Sequence, residues 1–140
     1  MDLGSTRQMA RLDPGPDMKR LSEEFVGLMR DFDWKLDYSE ESVQILEEMI
    51  EQQFGDWRPW RRGKVAEKNL PVASLVGAYL GEVMIRHFGG HWGWMPDFDV
   101  AAVQLPSGTW TSPPAKAQKR FVNGKEDDLV FYYEALRTQA

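Results

Sequence analysis

The side chains best suited to acid–base or metal chemistry lie close together in the middle of the chain. Glu82, His87 and His91 fall within ten positions, and the chain has two histidines in all. Histidines four residues apart on one helix can hold a zinc ion from the same face. Gly89 and Gly90 lie between them and favour a helix end, so the two rings need not converge. We therefore expect His87 at a helix end, His91 at a strand start, and no bound metal.

Glu82 stands in a strongly apolar segment, where a buried carboxyl can serve as a catalytic acid or base. Two structural roles compete with that one: an ion pair with Arg86 one helical turn later, or a buried acceptor for a backbone N–H of the following strands. No serine lies in a G-x-S-x-G turn, and the glycines of residues 77–81 lack the lysine of a phosphate-binding loop. Asp97 and Asp99 are too few for a calcium loop. The sequence predicts no catalytic residue and no cofactor.

The segment from Trp57 to Lys64 gives the strongest sequence signal for a contact surface. It mixes two tryptophans with three arginines and a lysine, and tryptophan and arginine are enriched at protein interface hot spots. The same mixture can stack on the bases of a single strand. A third interpretation is a solvated loop whose tryptophans pack inward beside Phe54. We predict a partner-binding site made of Trp57, Arg58, Trp60, Arg61, Arg62 and Lys64.

Two amphipathic helices are predicted before this segment. The first runs from about Met18 to Phe32, with Asp17 as its N-cap. Its apolar residues at helical spacing are Leu21, Phe25, Leu28 and Phe32. An extended linker or short edge strand follows. The second helix is predicted to start at Ser39, a good N-cap, and to end at Gly55 in a left-handed conformation. Its predicted buried face is Val43, Leu46, Met49, Ile50 and Phe54.

A third helix, from Pro71 to about Phe88, is the most apolar segment, and we expect it to be the central one. Proline is well suited to a first helical position, because its missing N–H would have no partner there. Gly77 and Gly81 are four residues apart and each costs about 1 kcal/mol relative to alanine in a helix interior. We therefore expect this row to allow close approach of another backbone.

The last third of the chain is rich in residues that favour β-strands and tight turns. Strands are predicted at residues 91–95, 99–105 and 109–111, with Pro106-Ser107-Gly108 as a hairpin turn. A short helix or turn is expected at residues 115–122. A final helix opens at residues 126–128, and its inner face is Leu129, Tyr132, Tyr133 and Leu136. Strands grouped apart from helices indicate an α+β fold, with N-terminal helices, a small antiparallel meander and a C-terminal helix.

Composition limits the classes of protein to consider. The 140 residues suit one domain, which we place at residues 17–140 behind a flexible tail at residues 1–16. The net charge of −5 disfavours a general role in binding nucleic acid. The absence of cysteine excludes disulfides and thiolate metal sites. No apolar run approaches the ~18 residues needed to span a bilayer, and the start does not read as a signal peptide. We expect a cytoplasmic protein with no membrane partner.

Three stretches together resemble an uncharacterised bacterial domain family. The first is Leu36 to Val43, a capped helix start. The second runs from Gly77-Ala78-Tyr79-Leu80-Gly81-Glu82-Val83 to Gly89-Gly90-His91-Trp92. The third is the close from Pro114 to Leu129, with its Lys-Arg, Asn-Gly and Glu-Asp pairs, followed by Phe131-Tyr132-Tyr133. The resemblance covers roughly residues 36–136. It implies a fold and a bacterial setting but no activity, and by analogy with small families of this kind it suggests an immunity protein.

The sequence thus favours a protein-interaction module, an immunity-type or accessory protein, over two alternatives. One alternative is a small-ligand-binding or enzymatic domain with a pocket between the third helix and the sheet, using Glu82, His91 and nearby tryptophans. The other is a nucleic-acid accessory protein that uses the basic aromatic segment. A protein partner is expected, nucleic acid is less favoured, and the oligomeric state is left open.

Overall fold

The α+β architecture expected from the sequence is present in the part of the chain that the structure, a computed structural model, describes: residues 11–55 and 69–140. Helices precede a three-stranded antiparallel sheet, and two further helices follow it. The elements are α1 (Gly15–Arg30), α2 (Ser42–Phe54), α3 (Leu70–Phe88), β1 (His91–Trp94), β2 (Ala101–Gln104), β3 (Trp110–Thr111), α4 (Pro113–Asn123), a 3₁₀ turn (Gly124–Asp127) and α5 (Leu129–Arg137). None of the described helices has the length and apolar character to cross a membrane.

The first helix differs from its prediction in its start and in its buried face. It begins at Gly15, with Pro16 in the first turn, so Asp17 lies inside the helix and does not cap it. The buried residues are Ser22, Phe25 and Met29. Leu28 and Phe32 of the predicted stripe are 43% and 65% exposed.

The inner face of α1 accepts a serine because the Ser22 hydroxyl has two partners. It donates to the carbonyl of Lys19 (2.8 Å) and lies 3.0 Å from the Tyr38 hydroxyl. A buried hydroxyl with such partners costs little. Phe32 lies beyond the helix end at Arg30, so helical spacing did not apply to it.

Ser39 begins a turn ahead of α2 instead of capping the helix itself. The Ser39 hydroxyl accepts the N–H of Ser42 (3.1 Å), and the regular helix starts there. The predicted residues Val43, Leu46, Met49 and Ile50 are buried, whereas Phe54 is half-buried. Gly55 has φ −85°, so the predicted left-handed end of this helix is wrong.

The central helix is α3, as predicted. Ten of its residues between Ala73 and Met84 are buried, and its bounds match the expected ones to within one residue. Gly77 faces the backbone of Pro114 in α4, which is the expected close approach. Gly81 lies against the ring of Trp92 in β1, so its neighbour is a side chain and not the expected backbone. Gly89 ends the helix with φ 88°.

The three strands are shorter than predicted and pair in the order β1-β2-β3. Trp92 pairs with Val103, and Gln104 pairs with Trp110. Side chains alternate between the two faces of a strand. Trp92 points toward α3, and Gly93 lies on the opposite face, where a Cβ would come within 2.8 Å of the Trp110 ring. That second face carries part of the candidate site described below.

The C-terminal helices begin at capped positions. The Ser112 hydroxyl accepts the N–H of Ala115 (3.1 Å), and Pro113 and Pro114 form the first turn of α4. The prolines were expected to precede this helix; their fixed φ suits its start instead. Asp128 caps α5 by accepting the N–H of Phe131 (2.9 Å). Leu129, Tyr133 and Leu136 are buried, and Tyr132 is half-buried, which confirms the predicted inner face.

A buried ion pair connects α2 to the C-terminal helices. Arg120 is fully buried and bonds both oxygens of Glu47, at 2.7 and 2.9 Å, and Glu51 at 2.9 Å. Glu47 also accepts the N–H of Leu129 (3.1 Å). One carboxylate therefore positions both α4 and α5, and these two helices form one side of the candidate site.

Candidate functional site

Glu82 has a structural partner. Its Oε2 accepts the indole N–H of Trp92 at 2.9 Å, and both side chains are buried. This is the predicted acceptor role toward the strands, with a side-chain N–H in place of a backbone one. Arg86 does not pair with Glu82; its guanidinium lies over the Tyr38 ring, 3.5 Å from the centroid. The Glu82 carboxylate therefore holds Trp92 against Gly81.

The two histidines lie at the helix end and the strand start, as expected. His87 Nε2 is 2.8 Å from the carbonyl oxygen of Tyr38, a residue with φ 64°. His91 is exposed at the start of β1. Within residues 11–55 and 69–140, no three histidine, aspartate or glutamate side chains converge in a way that could hold a metal ion.

Of the residues considered for a pocket between α3 and the sheet, Glu82 and Trp92 are in contact and His91 is exposed. The Trp92 ring occupies the contact with Gly81, Glu82 is bonded to that ring, and His91 is exposed. The predicted partner-binding residues, from Trp57 to Lys64, lie outside the described residues, and that site stays a prediction.

A surface groove of about 380 Å³ lies between the sheet and the last two helices. We call it the β3–α4 groove. Its sides come from the β1–β2 turn (residues 95–100), from β3 with the cap that follows it, and from α4 and α5. It is lined by Met95, Phe98, Val100, Trp110, Thr111, Ser112, Ala115, Lys116, Lys119 and Tyr132. Cavities of 300–1,000 Å³ are of the size that holds small ligands or side chains.

The back of the groove is fixed by a bond between a strand and a helix. The Tyr132 hydroxyl lies 2.5 Å from Thr111 Oγ1. Burial raises the pKa of the Tyr132 phenol well above its ordinary value, so it stays neutral at physiological pH. Ser112 is held as well, since its hydroxyl donates to the Ala101 carbonyl (2.8 Å) while capping α4. None of these three hydroxyls, of Tyr132, Thr111 and Ser112, is arranged as an activated nucleophile.

The two lysines of the groove differ in their partners. Lys116 Nζ lies 2.7 Å from Asp127 Oδ1, and Asn123 donates to the other oxygen at 2.6 Å. The hydrogen bond from Lys116, followed by the one from Asn123, lowers the pKa of Asp127. Lys119 is exposed and has no ion pair within the described part of the chain. Lys119 is therefore the cation that a bound group can reach.

The charge of the lining is opposite to that of the chain. The described residues that line the groove include two lysines and no aspartate or glutamate, whereas the whole chain carries a net charge of −5. The other two depressions described on the surface are rich in carboxylates: one includes Glu47, Glu48, Glu51 and Asp128, and the other includes Glu40, Glu41 and Glu134. The β3–α4 groove thus favours an anionic group.

The β1–β2 turn holds an exposed aromatic side chain at the rim. Phe98 is 65% exposed, and its N–H bonds the carbonyl of Met95 at 3.2 Å, which closes the turn. Arg11 pairs with Asp99 and lies over the Trp94 ring, 4.6 Å from its centroid. The segment before α1 therefore supports the turn that presents Phe98.

A second polar cluster, between α2 and α5, serves to hold those helices together. The Tyr133 hydroxyl donates to Glu40 at 2.6 Å, and Arg137 bonds the same oxygen at 2.8 Å. The bond from Tyr133, followed by that from Arg137, lowers the pKa of Glu40. Burial, and then the Glu40 carboxylate, raise the pKa of Tyr133. These residues satisfy one another and leave no activated base.

Sequence reasoning did not identify the groove. Its residues come from three separate stretches of sequence, 95–100, 110–119 and Tyr132, and their proximity depends on the packing of β3 against α5. Two local signals were present: Phe98 in a turn between acidic residues, and Lys116 and Lys119 at helical spacing. Neither signal shows that the two features share one surface.

Comparison with protein-family models, with curated proteins and with solved structures finds no match to this chain.

Proposed function

We propose that this chain is a protein-interaction module that binds a segment of its partner in the β3–α4 groove. The observation that supports this most is the lining itself: an exposed Phe98 and apolar neighbours stand beside a lysine that has no ion pair among the described residues. Aromatic residues and methionine are enriched at protein interfaces.

The rigidity of the groove supports a binding role. The Tyr132–Thr111 bond, the Lys116–Asp127 pair and the Ser112 cap fix its sides before any partner arrives. Binding to a preformed surface loses less conformational entropy than binding to a mobile one. An immunity-type or accessory role in a bacterial cytoplasm is the setting we propose, from the sequence resemblance and the cysteine-free composition.

The segment from Trp57 to Lys64 is the second surface we propose, on its sequence alone. It holds four of the seventeen basic residues within seven positions. Four positive charges this close together repel one another, and an acidic partner surface would attract them. A nucleic-acid partner for the same segment is the alternative proposal, supported by its mixture of arginine and tryptophan.

Selection from a displayed library of random linear peptides tests the groove as a binding site. We expect the immobilised chain to enrich peptides whose affinity falls about tenfold on Phe98→Ala, since an aromatic anchor contributes more than 1 kcal/mol. Phe131→Ala is the matched control: Phe131 is 77% exposed on α5 but does not line the groove. Failure to enrich any peptide, or equal binding to both variants, would overturn the groove as the interaction site.

A further inference from the structure

We infer that the partner segment carries a carboxylate next to a large apolar side chain. This inference rests on the proposed function, because it assigns a chemistry to whatever occupies the β3–α4 groove. It follows from three features of the groove: its charge, its available donors and its apolar surface.

The charge of the groove selects an anion. Lys116 is largely neutralised by Asp127, with both side chains about 20% exposed. Lys119 follows one helical turn later and retains its charge for a ligand. Among the described residues, the lining holds no acidic side chain; Asp97 and Asp99 flank Phe98 at the rim, and Asp99 pairs with Arg11. A basic or neutral segment would gain nothing from Lys119, so the groove discriminates by charge.

A second donor is available on the opposite side. The indole N–H of Trp92 is bonded to Glu82, and that of Trp94 to the Leu12 carbonyl at 2.8 Å. Trp110, which lines the groove, has no hydrogen-bond acceptor for its indole N–H within the described part of the chain. A carboxylate has two oxygens and accepts from more than one donor. Lys119 and Trp110 are thus two donors in the lining that have no acceptor within the described part of the chain.

The apolar surface selects the neighbour of the carboxylate. Met95, Phe98 and Val100 present side chains from one turn, and the Trp110 ring covers Gly93 beside them. Phe98 at 65% exposure gains most from being covered. Aromatic pairs contribute binding energy beyond the area that they bury. A phenylalanine, tyrosine, tryptophan or leucine next to the acidic residue fits this surface.

The features of the groove favour a protein segment over a nucleic acid. A single strand needs a positive path for successive phosphates, together with aromatic rings for its bases. Here the groove holds one lysine that has no ion pair among the described residues, in a chain of net charge −5. One localised anion beside an apolar group is the chemistry of an acidic–aromatic peptide.

Synthetic peptides test the inference directly. The probes are a capped peptide containing Asp-Phe and matched peptides containing Asn-Phe, Asp-Ala and Lys-Phe, titrated into the full chain by calorimetry. We expect the Asp-Phe peptide to bind most tightly, and the other three peptides to bind with about tenfold or more lower affinity. Raising the salt concentration should lower the affinity of the Asp-Phe peptide more than that of the Asn-Phe peptide.

Charge reversal at Lys119 sharpens the test. Lys119→Glu should lower the affinity for the Asp-Phe peptide about tenfold or more and raise the affinity for the Lys-Phe peptide. Lys125→Glu is the control, because Lys125 is an exposed lysine beside the acidic depression and not in the groove. Circular dichroism verifies that both variants fold.

The outcomes separate this inference from the proposed function. If enriched peptides depend on Phe98 but show no acidic preference and tolerate Lys119→Glu, the groove binds proteins and the inferred chemistry is wrong. If no peptide depends on Phe98, the proposed function itself fails. If a single-stranded oligonucleotide binds in the groove more tightly than the Asp-Phe peptide, the protein partner is wrong.

Discussion

At the scale of single residues, Gly81 sets how closely β1 can approach the central helix. A Cβ at this position would overlap the Trp92 ring, and that ring is held by its bond to Glu82. Gly77 has the same role toward Pro114 of α4. The two glycines therefore let Trp92 and Pro114 approach the backbone of α3 closely. The packing gained at these two contacts outweighs the cost of glycine in a helix.

We predict that Gly81→Ala lowers the free energy of unfolding by about 1–3 kcal/mol, because the site is already filled. Thermal unfolding followed by circular dichroism measures this loss. Gly27→Ala is the matched control, since Gly27 is also helical but has no atom within 4 Å of the added Cβ. It should stabilise the protein by about 0.4–1 kcal/mol. Equal melting temperatures for the two variants would show that Gly81 has room to spare.

At the scale of elements, the Lys116–Asp127 pair joins α4 to the 3₁₀ turn before α5 and fixes one side of the groove. Lys116 lowers the pKa of Asp127 from its ordinary value of 3.8. A carboxylate whose pKa is lower in the folded state stabilises the fold above the unfolded pKa. That contribution disappears as the pH falls through the folded pKa.

We predict that Asp127→Asn costs about 1–2 kcal/mol of stability at neutral pH, as expected for a partly buried, charged hydrogen bond. The melting temperatures of wild type and variant should converge as the pH drops below about 4. Asp33→Asn provides the control, because Asp33 is exposed and has no ion pair among the described residues. A constant difference between wild type and Asp127→Asn from pH 7 to the acid limit would contradict the assigned role.

The helices most easily predicted were those with strong boundary residues. The bounds of α3 were predicted to within one residue because Pro71 and Gly89 mark its ends. In α1 the apolar spacing wrongly predicted that Leu28 lies on the inner face. Ser22, held by hydrogen bonds, is buried there instead. The sequence could not reveal that hydroxyl pair, because Tyr38 lies sixteen residues away.

At the scale of the whole molecule, charge is distributed unevenly. The described depressions beside α2 are rich in carboxylates, whereas the described lining of the β3–α4 groove contains two lysines and no carboxylate. Sequence composition gives only the sum of −5. The contrast between surfaces depends on which side chains the fold brings together. For the same reason the groove was not predicted, although its lysines and Phe98 were visible in the sequence.

The most direct test of the groove as the binding surface is the ¹⁵N–¹H spectrum of the six tryptophan indole groups as the Asp-Phe peptide is added. We predict that the Trp110 indole signal shifts, together with the amide signals of Met95 and of residues 97–100 and 115–119. The Trp92 indole, bonded to buried Glu82, should stay in place. An unmoved Trp110 signal, with shifts confined to Trp57 and Trp60, would contradict the account and assign the contact to the segment from Trp57 to Lys64.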